Sequence, residues 1–246
     1  MIRLDVLSTA MNTIPPSLRS WTGNPKNKCL FEEIPGYWET YDVITFLADL
    51  RTYHHTPSGA LEKSEKEQEQ KFKTEYFKKR FTLSRTLLKH IIRYIPGTNY
   101  PPDILLGRDK KGRIIVPARP DIHISLTYSD PWIAITIGKQ KIGSDIEVVR
   151  PFRTEKITSC PVFNNFTCTN DQERMIRILH LWTLIESFAK LYDKNPYSLL
   201  ETSSFFMEAT FVSYCINRHS IFTLASGQEP FADTLVWLDS AGLGGI

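Results

Sequence analysis

Two acids one residue apart, Asp145 and Glu147, stand in the run KIGSDIEVV. On a strand, residues i and i+2 project from one face, so both carboxylates point the same way while Ile142, Ile146 and Val148 point into a core. Paired carboxylates repel unless a cation lies between them, and an oxygen-only donor set suits Mg²⁺ or Mn²⁺. An Asp-x-Glu triplet also arises by chance, and two solvated acids on an open sheet face have the same sequence. A second pair, Glu186 and Lys190, lies four residues apart in HLWTLIESFAK and shares one helix face. That spacing fits a surface ion pair, or an acid for a metal beside a cation for a phosphate. A third group is basic. Arg85 and Lys89 share a helix face among apolar neighbours in SRTLLKHII, which marks them as ligand contacts among the many cations of 71–93.

These residues need elements to hold them. From about 61 to 94 the chain lacks Gly and Pro, and apolar residues recur at three-and-four spacing, which predicts one long amphipathic helix or two in succession. Ser64 with Glu67 reads as its capping box, and Pro96–Gly97 end it. The charges at Glu65 to Glu69 read as a solvated face. The stretch 41–53 is a short helix or a strand. The period then changes to two: 123–126, 132–137 and 142–149 read as strands. Residues 171–193 return to a helix, stopped by Asn195–Pro196. The tail carries three strand-like runs, FFMEATFVSYCI, SIFTLAS and DTLVWL, with a hairpin turn at 217–220. A short strand is expected near Leu4 and a turn at Pro57–Gly59.

Composition narrows the classes. In 246 residues, 41% are hydrophobic and 23% charged, so the chain folds around a sizeable core. The net charge is +3, a milder excess than nucleic-acid binders carry, and no aromatic RNP-like motif accompanies it. The four cysteines form no CxxC pair and are expected as reduced thiols in the cytoplasm. Neither a signal peptide nor a membrane span is visible.

The three features occur in the order and spacing of a known family. PDIHISLTYSDPWIAITIGKQKIGSDIE is similar, without a gap from His123 to Glu147, to the block "HFNISHSG-x-W" followed by "IGIDIE". HLWTLIESFAK resembles "W-x-x-KE-x-x-x-K", Ser84–Ile92 resembles a helix with a CoA-binding arginine, and GRDKKGRI resembles the turn before "GKP". The chain thus resembles the Sfp-type 4′-phosphopantetheinyl transferases over roughly residues 61–193. Tyr128 stands where the family has a histidine, Ile185 replaces the lysine of "KE", and Ser144 replaces an apolar residue.

The resemblance implies an α/β (α+β) fold. It has two similar halves, 1–139 and 140–246, related by a pseudo-twofold axis, each with a long helix on a small, mostly antiparallel sheet. CoA lies in the cleft between them. It implies Mg²⁺ on Asp145, Glu147 and Glu186, and catalysis by Glu186 and Lys190. CoA contacts are expected from Arg85, Lys89, Arg113, Thr127, Tyr128 and Asp145. The implied reaction moves phosphopantetheine from CoA to a serine of a carrier protein. The implied enzyme is a cytoplasmic monomer without nucleic-acid or membrane partners. Competing expectations are a non-catalytic relative that binds CoA or a carrier protein, a magnesium-dependent nucleotide-processing enzyme on another fold, and, last, an RNA-binding module.

Overall fold

The computed structural model describes residues 19–21, 28–53, 61–97, 104–149, 170–200, 208–217, 219–227 and 231–238. The strand expected near Leu4, the turn at Pro57–Gly59, and Cys160 and Cys168 lie outside them. The chain divides into two compact units, Asn24–Gln140 with Phe231–Ile246, and Met1–Gly23 with Lys141–Pro230. The fold is mixed α/β, as expected.

The first unit is built on a five-stranded sheet. Its strands are β2 (Lys28–Cys29), β3 (Val43–Asp49), β6 (His123–Ser129), β7 (Trp132–Gly138) and β11 (Asp233–Leu238), in the order β2-β11-β3-β7-β6. The ladders β3–β7 and β7–β6 are antiparallel, and β11 runs parallel to β3 and β2. The ambiguous 41–53 stretch is the strand β3, whose run VITFLA is buried at every position, as a central strand covered on both faces must be. A small hairpin, β4 (Gly107–Arg108) with β5 (Ile114–Ile115), carries the GRDKKGR turn.

Among the described residues, three α-helices accompany this sheet: α1 (Ile34–Thr40), α2 (Lys63–Glu69) and α3 (Glu75–Tyr94). The long amphipathic stretch is therefore two helices, broken at 70–74 without Gly or Pro. Thr74 is the device that restarts it, its side chain accepting from Phe77 N at 3.3 Å. The cap of α2 falls two residues before the expected Ser64, where Glu62 N donates to Glu65 Oε2 at 3.0 Å. Leu83, Leu87, Leu88, Ile91 and Ile92 of α3 are all 0% exposed. At about 1.5–3 kcal/mol each, that stripe anchors the helix in the core with Ile44, Phe46, Ile133, Ile135 and Ile137.

The second unit is a four-stranded sheet in the order β1-β9-β10-β8, made of β1 (Arg19–Trp21), β8 (Ile142–Val148), β9 (Thr210–Ile216) and β10 (Ser220–Ser226). β8, β10 and β9 are antiparallel neighbours, and β1 runs parallel to β9. Across it lies α4 (Asp171–Tyr192), followed by the short α5 (Pro196–Leu199). Asn170 caps α4 by accepting from Glu173 N at 2.9 Å. The helix ends at Tyr192, before the expected Asn195, because Asp193 turns left-handed at φ 57°.

The backbones of α4 and β8 touch at Gly143. A Cβ there would overlap Ser187 O and come within 2.5 Å of Leu191 N. Only glycine permits that approach, and it sets the distance between the helix and the two acids that follow on β8.

Candidate functional site

In the second unit, Asp145 and Glu147 lie on the α4-facing side of β8, two and four residues beyond Gly143. Asp145 is buried and Glu147 half-buried, while Ile142 and Ile146 are buried on the opposite face as the alternation requires. Lys190 reaches down from α4: its Nζ donates to Asp145 Oδ1 at 2.6 Å and to Ser144 O at 3.1 Å. Lys190, four residues from Glu186, thus bonds from helix to strand. Glu186, one turn earlier and half-buried, feels both partners. Burial pushes its carboxyl above the usual range; the Lys190 ammonium opposes that and the Asp145 charge adds to it.

The fit of a metal to these acids is mixed. Asp145, Glu147 and Glu186 are oxygen donors of the kind Mg²⁺ takes. Yet among the described residues no group of three or more His, Cys, Asp or Glu side chains is placed to hold a metal ion. The cation on Asp145 is an ammonium.

Behind this cluster runs a buried polar chain that the sequence did not reveal. His180 Nε2 and Ser213 Oγ share a hydrogen bond of 2.8 Å, Ser213 and Thr223 one of 3.0 Å, and Thr223 and Thr183 one of 2.8 Å. Ser187 Oγ donates to Thr223 O at 3.0 Å. Thr223 pairs across the sheet with Asp145, which sets the chain in register with the acid. Burial alone pulls the His180 imidazole down to about 4, so the ring is neutral.

The first unit holds the second cluster. Arg85 is 5% exposed on α3, its guanidinium 5.2 Å from the Phe81 ring centroid. Its Nε has no hydrogen-bond partner among the described residues. Burial pulls Arg85 below its ordinary value; Tyr128 opposes this, Arg108 adds to it and Glu65 opposes it. Tyr128 OH donates to Ser84 Oγ at 2.9 Å, and Ser84 Oγ donates to Phe81 O at 2.8 Å. Burial raises the Tyr128 phenol, which stays neutral, and its one donor is spent inside the protein rather than kept for a phosphate. Arg80 stacks between the rings of Tyr128 and Phe77, at 4.6 and 4.8 Å.

Lys89 is buried, as its apolar neighbours suggested, but its Nζ lies 2.6 Å from Glu65 Oε2. Glu65, read from the sequence as solvated, is 7% exposed. The reason is that α2 turns its first-turn acid inward to meet a buried ammonium, a contact invisible to periodicity. Thr127 follows the alternation of β6 to the face opposite Tyr128, so the structure does not bring those two together. Arg113 is half-buried at the end of the β4–β5 turn, its backbone N–H on Asp109 Oδ1 at 2.9 Å. In that hairpin it is Arg108 whose charge registers at Arg85.

The structure therefore gathers Asp145, Glu186 and Lys190 in one unit, and Arg85 and Tyr128 with Arg80, Arg108 and Glu65 in the other. The residues missed at sequence level are Gly143, His180, Ser213, Thr223, Glu65 and Ser84. Of these, only Gly143 carried a signal, as a glycine beside two acids in a strand of otherwise apolar residues.

No family model matches the chain. Three curated proteins of Bacillus subtilis do. A 4′-phosphopantetheinyl transferase is 26% identical over 133 residues, 53% of this chain and 56% of that protein. The 4′-phosphopantetheinyl transferase Sfp of strain 168 is 28% identical over 118 residues, and the 4′-phosphopantetheinyl transferase ffp 26% over 118, each match covering 45% of this chain and 53% of the relative. The chain spans about half the length of the curated relatives it matches. No helix among the described residues is long and apolar enough to cross a membrane. The motifs, the mixed α/β units and these matches agree: over about half its length the chain is similar to the Sfp-type 4′-phosphopantetheinyl transferases.

Proposed function

We propose that this protein transfers the 4′-phosphopantetheine arm of coenzyme A to a serine of an acyl, peptidyl or polyketide carrier protein, releasing 3′,5′-ADP. The observation that carries this reading is the buried Asp145 carboxylate paired with Lys190, with Glu186 beside it, built from the two segments that resemble the family. The serine Oγ attacks the phosphate that bears the pantetheine. The new O–P bond replaces the bond to the ADP phosphate, which leaves with the electron pair. Glu186, its carboxyl raised by burial, is suited to take the serine proton near neutral pH. Lys190 supplies positive charge to the phosphate in transit. Arg85 offers its guanidinium to the 3′-phosphate of CoA, a fork matched to phosphate oxygens.

Mg²⁺ belongs to this reading, with Asp145, Glu147 and Glu186 as its donors; bound, it would neutralise charge on the pyrophosphate. The reading also places the enzyme in the cytoplasm as a monomer. A second reading is a relative that binds CoA or a carrier protein without transfer. It is favoured by Ile185, which fills the lysine position of "KE" with a residue 0% exposed in the core, and by the Tyr128 hydroxyl committed to Ser84.

The test is to incubate the protein with CoA, Mg²⁺ and a panel of apo carrier proteins and record intact masses, with Asp145→Ala alongside. A phosphopantetheine-sized gain on a carrier, lost in the variant, is the expected result. No gain while CoA still binds selects the second reading, and no CoA binding overturns both.

A further inference from the structure

The first unit contains a buried acid that the transfer reading leaves without a task. Glu65 Oε2 is fully engaged, accepting from Lys89 Nζ at 2.6 Å and from Glu62 N at 3.0 Å. Glu65 Oε1 is turned toward Arg85, 4.0 Å from its Nε, and neither of those two atoms has a hydrogen-bond partner among the described residues. Both side chains are under 10% exposed. At 4.0 Å the contact is an ion pair but not a hydrogen bond, and about 1 Å of movement would make it one. A buried acceptor facing a buried donor at that distance costs free energy until the gap closes.

Beyond Glu65, Arg85 is neighboured by a ring and a cation. Phe81 covers one side, and Arg108 adds positive charge. A guanidinium has donors on two edges. If Nε is held by Glu65, the Nη edge is left to point elsewhere, and the geometry points to an anion as its target.

We infer that Glu65 is a positioning residue for the proposed CoA 3′-phosphate contact of Arg85. It closes on Arg85 Nε when the phosphate engages the Nη donors, and so fixes the direction of the fork. Lys89 serves this arrangement by holding the other carboxylate oxygen in place. The inference rests on the transferase reading for the identity of the phosphate, and goes beyond it in naming the residue that orients the arginine.

The experiment uses the full chain and titrates CoA and 3′-dephospho-CoA by calorimetry. The variant is Glu65→Met with Lys89→Met, because replacing both members of a buried pair by apolar groups of similar length preserves folding where a single change strands a charge. Thermal melting of each protein reports the fold. The expected result is a roughly tenfold rise in Kd for CoA with the Kd for 3′-dephospho-CoA unchanged, so that the parent's preference for the 3′-phosphate disappears. The double change removes one charge of each sign, so the net charge beside Arg85 is unaltered and electrostatics alone predicts no loss of CoA affinity. Equal or tighter CoA binding therefore overturns the inference. So does a lowered melting temperature with the preference intact, which is the mark of a merely structural acid. A parent that binds neither nucleotide overturns the transferase reading itself, and this inference with it.

Discussion

Gly143→Ala tests whether the approach of α4 to β8 builds the acid–lysine cluster. The added Cβ would overlap Ser187 O and lie 2.5 Å from Leu191 N and 3.1 Å from Leu191 Cα. These are backbone atoms, so no rotamer change relieves them. Restoring ordinary contact near 3.5 Å requires α4 to retreat by about 1.5 Å. A retreat of that size stretches the 2.6 Å Lys190–Asp145 bond beyond hydrogen-bonding length and thins the packing under Phe188 and Leu191. Overpacking of this kind costs roughly 1–3 kcal/mol, and backbone atoms place it at the upper end. At about 2–4 °C per kcal/mol, melting followed by circular dichroism should fall by roughly 6–12 °C. Gly36→Ala is the matched control. It lies in α1 with nothing within 4 Å of the added Cβ, and should leave stability unchanged or raise it by about 0.5–1 kcal/mol. If Gly143→Ala melts within about 2 °C of the parent, the backbone approach is not what sets the site.

Two further substitutions probe the second unit. Lys190→Met leaves the buried Asp145 carboxylate without its ammonium; because Lys190 is about one-third exposed, water softens the loss to about 1–2 kcal/mol. Under the proposed function its transfer rate, read by carrier-protein mass, should drop on the order of a hundredfold, and an unchanged rate would remove Lys190 from the chemistry. His180 gives a pH signature. Its folded value near 4 lies below the ordinary 6.5, so the unfolded chain binds the proton first. Stability is full above about pH 6.5, falls as pH drops, and has lost up to about 3 kcal/mol near pH 4. His180→Gln keeps a donor and acceptor for Ser213 and should flatten that part of the curve; parallel urea-melt profiles for parent and variant would contradict the assignment.

Much of this was legible because it is periodic. Alternation alone assigned β6, β7 and β8 to within a few residues and put Asp145 and Glu147 on one face. The absence of Gly and Pro forecast one helix or two from 61 to 94 but not where the break falls, which rests on one threonine cap at Thr74. Partner choice was not legible. Lys190 is four residues from Glu186 yet bonds an acid 45 residues away, because a glycine lets the helix touch the strand. Glu65 sits in a run of charges that looks solvated, and only the packing of α2 turns it toward Lys89. Local spacing says which residues share a face; it does not say what that face meets.

The two clusters share a physical feature that bears on function. Each unit sets a lysine against a buried carboxylate at 2.6 Å, Lys89 on Glu65 and Lys190 on Asp145. Taking the Lys89–Glu65 pair out of water costs several kcal/mol per ion, and apolar residues of similar volume often serve stability as well or better. Stability therefore does not account for that pair, and it is only half the case for Lys190, which is about one-third exposed over its buried acid. What a buried pair supplies, and an apolar pair cannot, is charge held in a fixed direction. Asp145–Lys190 lies one helical turn from Glu186, and Glu65–Lys89 lies against Arg85. In each case the charge is held beside a residue that the proposed function employs, Glu186 for the serine proton and Arg85 for the 3′-phosphate.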